Sequence, residues 1–233
     1  MKKSAFTLAE TLLTLAIIGI AAAMTIPSLI NKFEERVIIT KLKKFYSVLS
    51  QNYLFAVQEY GEVSTWGITE RDAGSTDEEE DSYTAENAVL LRDKLFVNAQ
   101  ISKTCDNAKD LSQCGITKIY YINGEQDTGA TGSSGFSCGL MLADGSSVSL
   151  MSNYMENRGS GNLSECYGLI YFDTNGYKGP NTLGKDVFVF IVTKQDITPE
   201  ETINETTNPF EASCSSKGRG CTAGLLQMKT WII

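Results

Sequence analysis

The residues best placed to do chemistry lie in one stretch, Asp173 to Phe188. There Asp173, Asn175, Asn181 and Asp186 are interleaved with Gly176, Gly179, Pro180 and Gly184. Carboxylate and amide oxygens on a tight, glycine-rich turn are the donors that Ca²⁺ prefers. The segment is not an EF-hand, because the acidic residue that closes such a loop is missing. A second reading needs no ligand: glycines supply positive φ, and Asn and Asp form side-chain turns, in an ordinary long connection between two strands. The six cysteines offer a different chemistry. Cys105, Cys114, Cys138, Cys166, Cys214 and Cys221 all lie beyond the first hundred residues, and none forms a CxxC pair. That spacing argues against zinc ribbons and thioredoxin-like redox sites. An even number fits disulfides in an oxidising compartment, with buried free thiols as the other possibility. Several connectivities remain open. Proximity favours Cys105–Cys114 and Cys214–Cys221 closing short loops, with Cys138–Cys166 joining neighbouring strands.

The chain contains no histidine. This removes the Ser-His-Asp and Cys-His nucleophilic arrangements and the commonest zinc ligand. No nucleophile–base pair, metal cluster or phosphate-binding loop is evident, so the chain is expected not to be an enzyme. The formal net charge of -8, from 28 acidic and 20 basic residues, leaves no excess of Lys and Arg to neutralise phosphates. Nucleic acid is therefore not an expected partner. The run Asp77-Glu78-Glu79-Glu80-Asp81 reads as a solvated loop.

These residues need a scaffold, and its most informative part comes first. Met1-Lys2-Lys3-Ser4-Ala5 is short and basic, and residues 11–31 then carry no charge. At ~1.5 Å per residue that stretch spans ~32 Å, enough for the ~30 Å hydrocarbon core of a bilayer. Lys2 and Lys3 favour a cytoplasmic N-terminus, which puts the rest of the chain outside. Glu10 stands at the edge of the apolar stretch, where a carboxylate carried into lipid asks for a partner. An ordinary secretory signal, cut near Ala21-Ala22-Ala23, is the rival reading. The apolar segment runs on to Ile30, longer than the usual signal core. No cysteine lies near the N-terminus to mark a lipoprotein.

The sequence Ala5-Phe6-Thr7-Leu8-Ala9-Glu10, followed by Ile17-Ile18-Gly19-Ile20-Ala21-Ala22 and Ile26-Pro27, resembles the leader and N-terminal helix of type IV pilins and type II secretion pseudopilins. The likeness covers about thirty residues closely. It implies cleavage by a prepilin peptidase between Ala5 and Phe6, with N-methylation of Phe6; the family usually has Gly where this chain has Ala5. It also implies assembly roles for Glu10, Gly19 and Pro27. Glu10 would meet the positive N-terminus of a neighbouring subunit, and Pro27 stands where the family has its helix-kinking proline. The 173–188 segment resembles a loop of many prepilin-like proteins, and some pseudopilins hold calcium in a loop between strands. Beyond a possible Ca²⁺, no cofactor is expected. The implied partners are copies of the chain, other pilins or pseudopilins, the peptidase, an inner-membrane assembly platform, and membrane lipid before assembly.

Past the span the pattern becomes amphipathic. Phe33, Val37, Ile38, Leu42, Phe45, Leu49, Tyr53, Ala56, Val57 and Tyr60 recur at helical spacing, and Gly61 offers a stop. Residues 61–82 read as a loop, 85–96 as a short helix, and 103–113 as a disulfide loop. Strands are expected at 118–122, 137–142, 146–151 (around Asp144-Gly145), 166–172 and 187–193, with another possible at 225–233. A long helix followed by antiparallel strands means α+β. The resemblance sharpens this to a pilin-like fold, with a helix packed on an antiparallel sheet. The domains are then a leader (1–5), a membrane and polymerisation segment (6–31), the amphipathic half of the helix (32–60) and a globular head (61–233). The expected function is that of a structural subunit of a type IV pilus or type II secretion pseudopilus. A minor pilin acting as an adhesion module, and an anchored extracytoplasmic enzyme, are the alternatives.

Overall fold

The computed structural model describes residues 7–68, 77–115, 118–128, 138–152, 155–156, 165–200, 214, 217–218 and 220–227. The chain divides into two compact units, Met1–Thr40 and Lys41–Ile233. Helix α1 runs Leu8–Tyr60 and so contributes to both. Its start is a capping box: the Thr7 hydroxyl accepts the Glu10 N–H at 3.3 Å, and the Glu10 carboxylate accepts the Thr7 N–H at 2.9 Å. Its end is Gly61, whose φ of 82° and N–H bond to the Val57 carbonyl (2.9 Å) make the left-handed stop that only glycine adopts without strain.

Within the second unit, the helix buries one stripe. Leu42, Phe45, Leu49, Tyr53 and Ala56 are buried at i, i+3 and i+4 spacing, as the sequence pattern requires. Tyr60, read from sequence as part of the same stripe, is exposed. Helix α2 spans Asp77–Leu95. It begins well before the expected residue 85, and the acidic run is its first turn rather than a loop. Carboxylates suit that place, because the helix dipole presents positive charge there.

Seven strands follow among the described residues: β1 (Ile101–Cys105), β2 (Cys138–Leu142), β3 (Ser147–Met151), β4 (Met155–Glu156), β5 (Glu165–Asp173), β6 (Val187–Thr193) and β7 (Ile197–Pro199). They form one antiparallel sheet in the order β1-β2-β3-β5-β6-β7, with β4 beside β5. The layout is therefore α+β. The β2–β3 turn is built as expected: Gly145 has φ 82°, and Asp144 accepts the Ser146 N–H. Two expected strands are not found among the described residues. Residues 118–122 hold only isolated bridges, from Tyr120 to Gln126 and to Thr182. Leu225–Gln227 belong to a helix, α3 (Cys221–Gln227), and residues 228–233 lie outside the described part.

The central strands β5 and β6 are covered on both faces. On one, Phe45 stacks on Phe172 with ring centroids 3.9 Å apart and also meets Phe190. Tyr53 donates its hydroxyl to the carbonyls of Thr193 and Lys194. On the other, Leu169, Tyr171, Val187, Val189 and Ile191 pack with Cys105, Leu111, Ile119 and Leu183. Two-sided burial explains why β6 reads Val-Phe-Val-Phe-Ile-Val without polar alternation.

Two disulfides are formed, Cys105–Cys114 and Cys214–Cys221, with Cα–Cα separations of 6.3 and 4.6 Å. The expected Cys138–Cys166 bridge is not. Both are buried thiols on strands that β3 separates: Cys138 is on β2, Cys166 on β5. At about 4.8 Å per strand, next-but-one strands lie beyond the ~7 Å Cα–Cα reach of a disulfide.

Candidate functional site

The loop from β5 to β6 is organised by its two carboxylates. Asp173 ends β5, and one of its oxygens accepts the N–H groups of Asn175 (2.9 Å) and Gly176 (3.2 Å), a side-chain turn. Asp186 stands just before β6. Its Oδ1 accepts the Thr182 N–H at 2.5 Å. Its Oδ2 accepts the Asn181 N–H at 2.9 Å and the Asn175 side-chain N–H at 3.1 Å. Asn181 holds a left-handed backbone, φ 53°, which Asn tolerates better than most residues. Lys41 reaches the loop from α1 and donates to the Thr174 carbonyl at 2.7 Å.

What the loop leaves unpaired is more telling than what it pairs. Asp173 Oδ2, Asn175 Oδ1 and Asn181 Oδ1 are buried and accept no hydrogen bond. Asp173 is fully buried and Asn181 is 8% exposed. Each unmet buried polar atom costs on the order of 1–3 kcal/mol. Burial, together with the nearby Asp186 charge, pushes the Asp173 carboxyl up to about 7, against the pull of the Asn175 and Gly176 N–H groups and Lys41. These three acceptors, one of them on the Asp173 carboxylate, are oxygen donors of the kind a hard cation takes. Nitrogen and sulfur ligands are missing from the loop, which points to Ca²⁺-type chemistry rather than to zinc. Among the described residues, no group of three His, Cys, Asp or Glu side chains is placed to hold a metal. Asn175 and Asn181 bring amide oxygens to the same loop. All four residues singled out from the sequence thus meet on one loop; that three of their oxygens go unsatisfied had no sequence signal.

The N-terminal residues stand differently. Ala5 and Phe6 lie outside the described residues. Glu10 is held by Thr7 through both backbone and hydroxyl, each at 2.9 Å. The Thr-x-x-Glu spacing could have revealed this partner, and the sequence reading missed it. Gly19 has nothing within 4 Å of where a Cβ would stand, and Pro27 lies inside the helix. Leu12, Leu13, Leu15, Ile17, Ile18, Ile20 and their neighbours as far as Phe33 are exposed. The hydroxyls of Thr11, Thr14 and Thr25 donate to carbonyls of their own helix, at 2.8, 2.9 and 3.0 Å. That removes their need for water. α1 is long and apolar enough to cross a membrane.

These features define the class: an α+β protein with a membrane-length N-terminal helix and an oxygen-lined loop in its sheet domain. Residues 28–223 match the model of a family of unknown function (DUF6613), and the chain belongs to that family. Neither the curated proteins nor the solved structures gave a match.

Proposed function

We propose that the chain is a structural subunit of the prepilin class, a pilin or pseudopilin. In this reading, a prepilin peptidase cuts between Ala5 and Phe6. Residues 6–31 then hold the subunit in the cytoplasmic membrane with its head outside, until it joins a filament. The observation that carries this is the helix from Leu8 to Phe33, whose large apolar side chains the chain itself leaves uncovered. Such a surface needs lipid or other helices of its kind. Gly19, with open space above its Cα, suits close helix approach. The Thr7–Glu10 box keeps the carboxylate satisfied in a single subunit; on assembly the amine of a neighbour would compete for it. Mass spectrometry of protein purified from its native membrane tests the reading. A mature chain beginning at N-methylated Phe6 supports it; a chain that keeps residues 1–5 overturns it.

A second observation, the three orphaned acceptors, supports a structural cation in the 173–186 loop. Asp173, Asn175, Asn181 and Asp186 would hold the ion, and it would neutralise the two carboxylates. The full chain in detergent should melt higher with Ca²⁺ than with a chelator. An unchanged melting temperature together with no binding by calorimetry rules the ion out.

A further inference from the structure

The turn that carries Asn181 and Asp186 is also the seat of the C-terminal segment. The carboxylate of Asp186 fixes the N–H groups of Asn181 and Thr182. The next two residues press against the far end of the chain. Gly184, at φ 78°, approaches so closely that a Cβ there would stand 2.6 Å from Cys221 Sγ and 2.8 Å from the Gly218 carbonyl. A Cβ on Gly218 would stand 2.1 Å from the Leu183 carbonyl. Contacts this close leave room only for hydrogen, so any shift of Leu183 or Gly184 is felt at Gly218 and Cys221. The Thr222 hydroxyl, fully buried, accepts the Val189 N–H at 3.1 Å and so fastens the same segment to β6. Cys221, 1% exposed, carries the disulfide to Cys214.

We infer that ion binding in the 173–186 loop and the seating of Gly218 and Cys221 against it are one coupled equilibrium. The inference rests on the cation reading above. A cation drawn to the oxygens of Asn181 and Asp173 holds residues 181–186 in the arrangement that Gly218 and Cys221 pack against. The bound loop therefore keeps Cys221 covered. By reciprocity, opening the disulfide weakens ion binding by the factor with which the ion shifts the disulfide's reduction equilibrium. A thiolate must reach a sulfur to break the bond, so its rate of reduction reads how often Cys221 comes free of Gly184.

The test uses the full chain in detergent and CaCl₂ itself as the probe. Dithiothreitol supplies two electrons and two protons; the Cys214–Cys221 bond breaks to two thiols, and the reagent closes to its cyclic disulfide. Alkylation and peptide mass spectrometry then time the appearance of alkylated Cys214 and Cys221, without denaturant. Saturating Ca²⁺ should slow reduction at least about fivefold, the low end of typical couplings between sites. In calorimetry, the Cys214→Ser/Cys221→Ser variant should bind Ca²⁺ more weakly than wild type. Ca²⁺ binding to wild type with an unchanged reduction rate overturns the coupling and leaves the cation reading standing. No Ca²⁺ binding to wild type overturns both. The kinetic arm needs no variant, so a folding defect in the double mutant cannot obscure the result.

Discussion

Two stretches of this chain are both strongly apolar and have opposite surroundings. Residues 11–30 are rich in Leu, Ile and Ala and are exposed along the helix, whereas β6, Val187 to Thr193, is buried at every position. The sheet strand finds cover on both faces within its own chain: aromatic residues of α1 on one, the Cys105–Leu111–Ile119 cluster on the other. Residues 11–30 find none among the described residues. Hydrophobicity alone therefore does not tell core from anchor; the deciding matter is whether the same chain supplies the other surface.

Breaking the covered side should produce the largest effect. Phe172→Ala removes a ring stacked on Phe45 and should cost about 3–5 kcal/mol in denaturant unfolding of the full chain in detergent. A loss under ~1 kcal/mol would mean that the aromatic stack contributes little. A smaller effect is expected where α1 meets the end of β6. Tyr53 donates to two carbonyls there; burial, then the charges of Asp196 and Glu62, push its hydroxyl from 10 up to about 12. The raised value means that its stabilisation is complete below pH 10 and is lost as pH rises through 12. Tyr53→Phe should lower stability by about 0.5–1.5 kcal/mol at neutral pH. It should also flatten the decline between pH 10 and 12, as followed by circular dichroism. An equally steep decline in the variant would assign the alkaline loss to other groups. The smallest effect belongs to the uncovered side. Leu13→Ala should leave the unfolding of the sheet domain within about 0.5 kcal/mol of wild type. A larger change would show that the anchor contributes to the core after all.

Much of the covered side was legible because its signals are local. The Val187–Thr193 strand, the Asp144-Gly145 turn, the stop at Gly61 and both short-loop disulfides depend on residues close in sequence. The failures came where tertiary order decides. Cys138 and Cys166 lie on well-read strands, but nothing local says that β3 separates them. The strand at Ile101–Cys105 has four exposed residues and lacks the alternation that marks a strand. The start of α2 hid in its own acidic run, since a solvated helix turn and a solvated loop share that composition. In the 173–186 loop, residue types gave the chemistry, whereas the unpaired oxygens depend on which donors the backbone brings near.

The double cover over β6 also bears on how the chain tolerates change. An antiparallel strand with one wet face accepts polar residues at every second position. Here neither parity is free, so replacements along Val187–Val192 should be punished evenly. This short run is a rigid spine from which sequence drift is shut out, and variation is left to the connections around it.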